Sequence, residues 1–233
     1  MNLITVIPAR GGSKSIPLKN IRTLKGKPLI AYSINYSKRC PLISRTIVST
    51  DSQEIADIAK QYDAEIPFIR PDKISGDEVQ DFPVVEHALK FLESELDEII
   101  DAIVWLRPTS PFRPPMLIEK AVDLLKKFPE CSSIRSIVPS TEHPFRQWKL
   151  ESGFIKTPVN ETNINEPYNL PRQKLPKMFF QSGDIEVVRR STILAGSISG
   201  KKIVPLILSK KEMLDIDNFS DLENAENKIV DDV

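Results

Sequence analysis

Histidine and cysteine are scarce in this chain of 233 residues, with two of each. His87 and His143 cannot build a multi-histidine zinc site and argue against a Ser/His/Asp hydrolase. Cys40 and Cys131 form neither a CxxC pair nor a metal-like cluster, so they read as buried small side chains in a reducing compartment. No run of 18 apolar residues occurs, and the first residues lack the basic-then-apolar pattern of a secretory leader. Both absences point to a cytoplasmic chain without a membrane partner. Repeats and low-complexity tracts are missing too. The most informative absence is acid: residues 1–50 carry nine Lys or Arg and no Asp or Glu, although the whole chain has a formal net charge of zero.

A hydrophobic share of 40% and a charged share of 27% describe an ordinary globule. Apolar runs at Leu3–Pro8, Arg45–Thr50, Asp101–Leu106 and Cys131–Val138 read as buried strands, with 183–188 and 202–208 as two more. Ile55, Ile58, Ala59 and Tyr62 fall at helical spacing, as do Val84, Val85, Ala88, Leu89 and Leu92. Leu117, Ile118, Ala121, Val122 and Leu125 repeat the pattern after a Pro114–Pro115 start. A last helix is expected from Ser220, with Glu223 completing a capping box and Leu222, Ala225, Ile229 and Val230 facing inward. The rhythm predicts an α/β fold with a doubly wound, mostly parallel sheet in a single domain over residues 1–233. Residues 140–177, rich in Pro and Asn and weakly periodic, are expected to leave that core as an excursion.

Ligands of such sheets bind beyond the carboxyl ends of the strands. There "ARGGSK" (9–14), "TDS" (50–52) and "RPTSPFR" (107–113) face one crevice. Gly11 and Gly12 allow close backbone approach, Ser13 adds a hydroxyl, Lys14 and Lys19 add charge, and Arg10 can grip two phosphate oxygens. A triphosphate suits this loop, which matches neither GxxxxGK[ST] nor GxGxxG; a surface turn with incidental lysines is the alternative. The patch is short and lacks interleaved aromatics, which favours a small polyanion over nucleic acid. Asp215 and Asp217 flank Ile216, and in an extended segment both carboxylates could reach one Mg²⁺ beside the phosphates, or else cap the helix that follows. Asp51 belongs either to the crevice or to the N-cap of the next helix.

"IPARGGSKSIPLKN" (7–20), "STDS" (49–52), "LRPTSPFR" (106–113), "LPRQKLPK" (170–177) and "LDIDNFSDLENAE" (214–226) together resemble the CMP-sialic acid synthetases, or N-acylneuraminate cytidylyltransferases. The motifs run in family order over nearly the whole chain. The resemblance implies a nucleotide-diphospho-sugar transferase-like fold and a Mg²⁺-dependent reaction. In that reaction the anomeric hydroxyl of a nine-carbon 2-keto sugar acid attacks the α-phosphorus of CTP, giving a CMP-sugar and pyrophosphate. It implies that Arg10, Lys19 and Asn20 handle the triphosphate, with Ser13 and Lys14 between them, and that Arg70 is retained for the nucleotide. Asp215 and Asp217 match the metal-binding aspartates, which makes Arg10, Lys19 and Asp217 the catalytic set. Arg172 and Gln173 match the sugar-side pair, and Arg146 falls where relatives carry a lysine; either arginine could instead serve a structural ion pair. Relatives exchange the excursion between protomers, so a homodimer with completed sites is implied.

Three positions depart from the family pattern. Arg107, expected to bind the sugar, replaces a glutamine beside the expected sugar pocket. "SGDIEV" (182–187) replaces "NGAIYI", bringing in Asp184 and Glu186. Asp81 stands near where relatives use a serine to read cytosine. The first two leave N-acetylneuraminate, legionaminic acid and pseudaminic acid open as substrates, and the third bears on the nucleotide. A cytidylyltransferase for another keto acid such as 3-deoxy-manno-octulosonate, a D-x-D glycosyltransferase and a non-catalytic nucleotide-binding module are the competing readings. His87 and His143 read as flank and turn residues, and no general base stands out.

Overall fold

A computed structural model describes residues 1–95, 97, 99–159, 164–210 and 214–228. The chain opens with β1 (Leu3–Pro8), whose alternate residues are buried on both sides: Leu3 and Ile7 toward one layer, Ile4 and Val6 toward the other. A two-residue ribbon, β2 (Thr23–Leu24) and β3 (Lys27–Pro28), leads into α1 (Leu29–Lys38). Then come β4 (Ile43–Ser49), α2 (Gln53–Gln61), α3 (Asp81–Glu95), β5 (Ala102–Trp105), α4 (Leu117–Lys127) and β6 (Ser133–Pro139). The excursion holds the ribbon β7 (Lys149–Glu151) and β8 (Phe154–Lys156). The chain ends with β9 (Phe179–Arg189), α5 (Arg190–Leu194), β10 (Ile203–Ile207) and α6 (Phe219–Asn227).

The six-stranded sheet runs β10-β6-β9-β5-β1-β4. All its pairings are parallel except those of β9, which lies antiparallel to both β5 and β6. Helices α1, α2 and α4 cover one face, and α3 with α5 covers the other, which is why the central strands read as continuous apolar runs. A third cluster joins Ile16, Leu29, Tyr32 and Phe112 to Ile216, Leu222 and Ala225. Complete burial of Ile216, worth about 1.5–3 kcal/mol for such a side chain, pins the segment between the two aspartates.

The expected doubly wound, mostly parallel sheet is present, with four corrections. β9 begins at Phe179 rather than 183 and runs against its neighbours, because β6, the excursion and β9 form one elaborated hairpin; Ser140 N–H donates to Met178 O at 2.9 Å at its mouth. Helix α1 was not expected: seven of its ten residues are buried, so it lacks the polar face that makes a helix legible. Helix α4 begins at Leu117, after Met116 at φ 61°, and not at the prolines. Helix α6 is capped by Asn218, whose side chain accepts from Asp221 N–H at 3.0 Å while Asp221 accepts from Asn218 N–H at 3.0 Å. The Ser220–Glu223 box is therefore placed two residues too late; Ile229 and Val230 lie outside the described residues. Among the described residues no helix is long and apolar enough to cross a membrane.

Candidate active site

The loops after β1, β4 and β5 meet at the carboxyl ends of their strands. Asp51 carries the first joint: its Oδ1 accepts Gly11 N–H at 2.9 Å. Ser52, not Asp51, caps α2, through its Oγ on Ile55 N–H at 3.4 Å. A Cβ on Gly11 would lie 3.1 Å from Ser52 Cβ, so glycine permits this close crossing of the two loops. The cost is that Gly11 N–H is committed within the protein and does not join the anion cradle expected of it. Asn20 is buried and donates to Arg10 O at 2.9 Å, closing the loop on itself.

Lys19 ties this loop to the aspartate segment, donating to Ile216 O at 3.1 Å and lying 3.4 Å from Asp217 Oδ1. Ile216 N–H in turn donates to Thr109 O at 2.9 Å, in the loop after β5. The capping work expected as the alternative for the aspartates is done by Asn218 and Asp221, which leaves Asp215 and Asp217 without that role. Burial, with the charge of Asp217 adding to it, raises the Asp215 carboxyl above the usual range against the opposing Thr109 hydrogen bond and Lys19. Asp215 Oδ1 is buried with no hydrogen-bond partner, while the Asp217 side chain is largely exposed. Among the described residues no cluster of three or more His, Cys, Asp or Glu could hold a metal. Two hard carboxylates, one with an orphaned buried oxygen, fit a cation whose other ligands are phosphate oxygens and water.

A cavity of about 420 Å³ opens over these loops. Every residue expected to bind the nucleotide lines it except Gly11, and Arg107 joins them. Arg70 is buried, donates to Ser49 O at 2.5 Å, and has its affinity for protons lowered by desolvation. Asp77, which no motif marked, stands among the cations. Its Oδ2 lies 2.5 Å from Lys14 Nζ and its Oδ1 lies 2.6 Å from Arg10 Nη1, the latter close but not aligned as a hydrogen bond. The hydrogen bond from Lys14, with the charge of Arg10, holds the Asp77 carboxyl below the usual range.

The three departures from the family pattern turn out to be one structure. Glu186, 2% exposed, accepts from Arg107 at 2.8 Å on one side and from Arg135 at 2.6 Å on the other. Arg107 also donates to Asp81, the first residue of α3. Burial disfavours the Arg107 charge, but Asp81 and Glu186 outweigh it and hold the guanidinium protonated. Arg107 is thus committed to two carboxylates. Asp184 lies beside this chain; burial, with Asp215 adding, raises its carboxyl against Ser182 and Arg113. Arg113, fully enclosed, donates to Asp184 O at 2.6 Å, Ser33 Oγ at 2.9 Å and Arg107 O at 2.5 Å, so it locks the loop after β5; burial brings its pKa down to about 10.

The remaining sugar-side residues are not gathered at the cavity. Arg146, Arg172 and Gln173 are exposed on the excursion, where Arg146 donates to Leu170 O at 2.6 Å and Arg172 to Ser140 O at 3.2 Å. His143 caps the turn before Phe145, and His87 packs on Phe68, as flank and turn residues do.

Comparison with known proteins agrees with this geometry. Over 127 residues, 54% of each chain, the sequence is 42% identical to CMP-N,N'-diacetyllegionaminic acid synthase of Legionella pneumophila. That alignment spans only about half of either protein. Pseudaminic acid cytidylyltransferase of Campylobacter jejuni is 29% identical over 97% of this chain and 95% of its own length. The solved structure of CMP:2-keto-3-deoxy-manno-octonic acid synthetase complexed with CTP shares the fold, with a TM-score of 0.72 at 14% identity over 97% of both chains. The family model described as Cytidylyltransferase matches residues 4–194, so the chain belongs to the cytidylyltransferase family.

Proposed function

We propose that this chain joins CTP to a nonulosonic acid of the sialic, legionaminic or pseudaminic type, releasing pyrophosphate and a CMP-sugar. The observation that carries the reading is the cavity in which Arg10, Ser13, Lys14 and Lys19 converge, within hydrogen-bond reach of the Asp215–Asp217 segment through Lys19. Fixed cations aimed at a transferring phosphoryl group stabilise charge without reorganising during reaction. Arg10 and Lys14 bind the non-bridging oxygens of the triphosphate, and Lys19 neutralises charge growing on the leaving pyrophosphate. Asn20 and Asp51 hold the loop that presents them. Arg70 and Asp81 meet the nucleoside. Asp215 and Asp217 would hold Mg²⁺, which supplies charge neutralisation at the phosphates when bound.

The excursion is the proposed dimer arm. Its ribbon exposes Leu150 and Ile155 as a cross-strand pair, with Phe154 next to them in sequence. Trp148, Phe179 and Phe180 are exposed apolar side chains close by in the chain or at the start of β9, a density of exposed apolar residues of the kind that marks an interface. In a homodimer Arg146, Arg172 and Gln173 of one protomer serve the sugar carboxylate at its partner's cavity, which accounts for their distance from their own. With buried free thiols and CTP as substrate, the protein works in the cytoplasm. Pyrophosphate release is the test, with CTP, Mg²⁺ and a panel of N-acetylneuraminate, legionaminic, pseudaminic and 3-deoxy-manno-octulosonic acids. Turnover with a nine-carbon acid is expected. Turnover with the eight-carbon acid alone, or CTP binding without turnover, would overturn it.

A further inference from the structure

The cavity lining sorts by contact into two groups. Arg10 and Lys14 are joined through Asp77. Asp81 and Arg107 are joined to each other, and share the lining with the aliphatic side chains of Ile74, Val79 and Val84. The first group is cationic and suits phosphate. The second pairs an acceptor-only carboxylate with a donor-only guanidinium beside apolar walls, which suits a flat heterocycle. Cytosine presents an amino donor next to a ring-nitrogen acceptor. Uracil presents an oxygen acceptor next to an N–H donor, so the same pair that matches cytosine opposes uracil.

The match depends on where the guanidinium points, and that is set from outside the cavity. Glu186 does not line it. It sits on β9, opposite Trp105 of β5 and Arg135 of β6, and binds one arginine from each side. Arg135 is itself held by Gln181 Oε1 at 3.0 Å and Ser199 Oγ at 2.8 Å. Glu186 takes Nη1 of Arg107 and so leaves Nη2 for Asp81 Oδ2, while Asp81 Oδ1 stays available. We propose that Glu186 is a positioning residue that, acting through Arg107, sets the Asp81–Arg107 pair to select cytosine over uracil in the nucleotide. The proposal rests on the CTP reading and adds a selector to it. Without Glu186 the guanidinium faces Asp81 alone, is free to swing, and can offer its donors to the uracil oxygen.

The test is calorimetric binding of CTP and of UTP, each with MgCl₂ and no sugar, to the full chain and to Glu186→Gln. Wild type is expected to prefer CTP, and Glu186→Gln to lose at least about ten-fold of that preference, the scale of one bidentate pair. Asp81→Asn should lose it as well, and the double variant should lose no more than the worse single. A Glu186→Gln protein that melts earlier but keeps the full CTP:UTP ratio would make Glu186 a sheet residue only and overturn the proposal, as would additive losses. If Glu186→Gln does not fold, Arg107→Lys gives the same readout, because an ammonium cannot bridge both carboxylates in one plane; unchanged selectivity there overturns the proposal too. Wild type that binds neither nucleotide would sink the CTP reading itself, whereas wild type that binds both equally would sink only the selector.

Discussion

The loop after β1 and the excursion of residues 140–177 both carry arginines read as ligands for an acidic substrate, yet they are built differently. In the first, the side chains around each cation are spoken for: Asn20 closes the loop, Asp51 crosses it and Lys19 bolts it to Ile216. In the second, Arg146 and Arg172 donate to backbone carbonyl oxygens of the excursion, beside a ribbon whose apolar side chains are exposed. The lesson is about completeness. A site finished within one chain shows its partners to one another; in the proposed reading the excursion's site is finished by a second chain, which would leave its cations resting on backbone and its hydrophobic surface uncovered.

The comparison can be broken hardest at Asp217. Its side chain is 75% exposed, so Asp217→Ala should melt as wild type does. Turnover should nevertheless fall by at least about 10³-fold, the scale of losing a charge-stabilising element of the transition state. Residual activity above a tenth of wild type would remove it from the chemistry. Next comes Lys19→Ala, expected to lower kcat by about 10²-fold with a smaller change in KM, since its charge acts on the leaving group. A purely KM effect in steady-state kinetics would reassign it to ground-state binding.

The excursion is broken by charge. Leu150→Glu with Phe154→Glu places two carboxylates on the exposed ribbon, where burial in the monomer cannot be lost. Light scattering should report a monomer in place of a dimer, and KM for the sugar acid should rise by about ten-fold or more while CTP binding is kept. A variant that stays dimeric, or an active monomer, would mean that each cavity is self-sufficient.

These two regions were also unequally legible. Arg10, Lys14, Lys19 and Asn20 lie within eleven residues of one another, so a strand ending in glycines was enough to announce them. The parallel order of β1, β4 and β5 followed from their two-sided apolar runs. The direction of β9 did not, because a buried strand looks the same in either sense and only its hairpin with β6 decides. Helix α1 stayed hidden since burial on nearly all sides erases its periodicity. The chain Asp81–Arg107–Glu186–Arg135 was visible only as three oddities. Its members sit up to 105 positions apart (Asp81 to Glu186), and a contact at that range leaves no local pattern.

Asp77 was the least legible of all and gives the smallest expected effect. It is one of two consecutive acids after Gly76, and only its contacts show that it occupies the two cations assigned to phosphate in the proposed reading. Triphosphate entering the cavity must either displace its carboxylate or share Arg10 and Lys14 with it. Both raise the cost of binding, but the pair is partly open to water and Lys14 is 81% exposed, so screening keeps the penalty small. Asp77→Asn should therefore lower KM for CTP by about two- to five-fold, the range of a solvent-exposed ion pair, with kcat little changed. The gain should shrink as salt is added, because added ions already weaken the native pairing. A rise in KM would reverse the sign of the argument: Asp77 would then be the group that holds Arg10 and Lys14 in place for the nucleotide, and the first loop would depend on a neighbour just as the excursion is proposed to do.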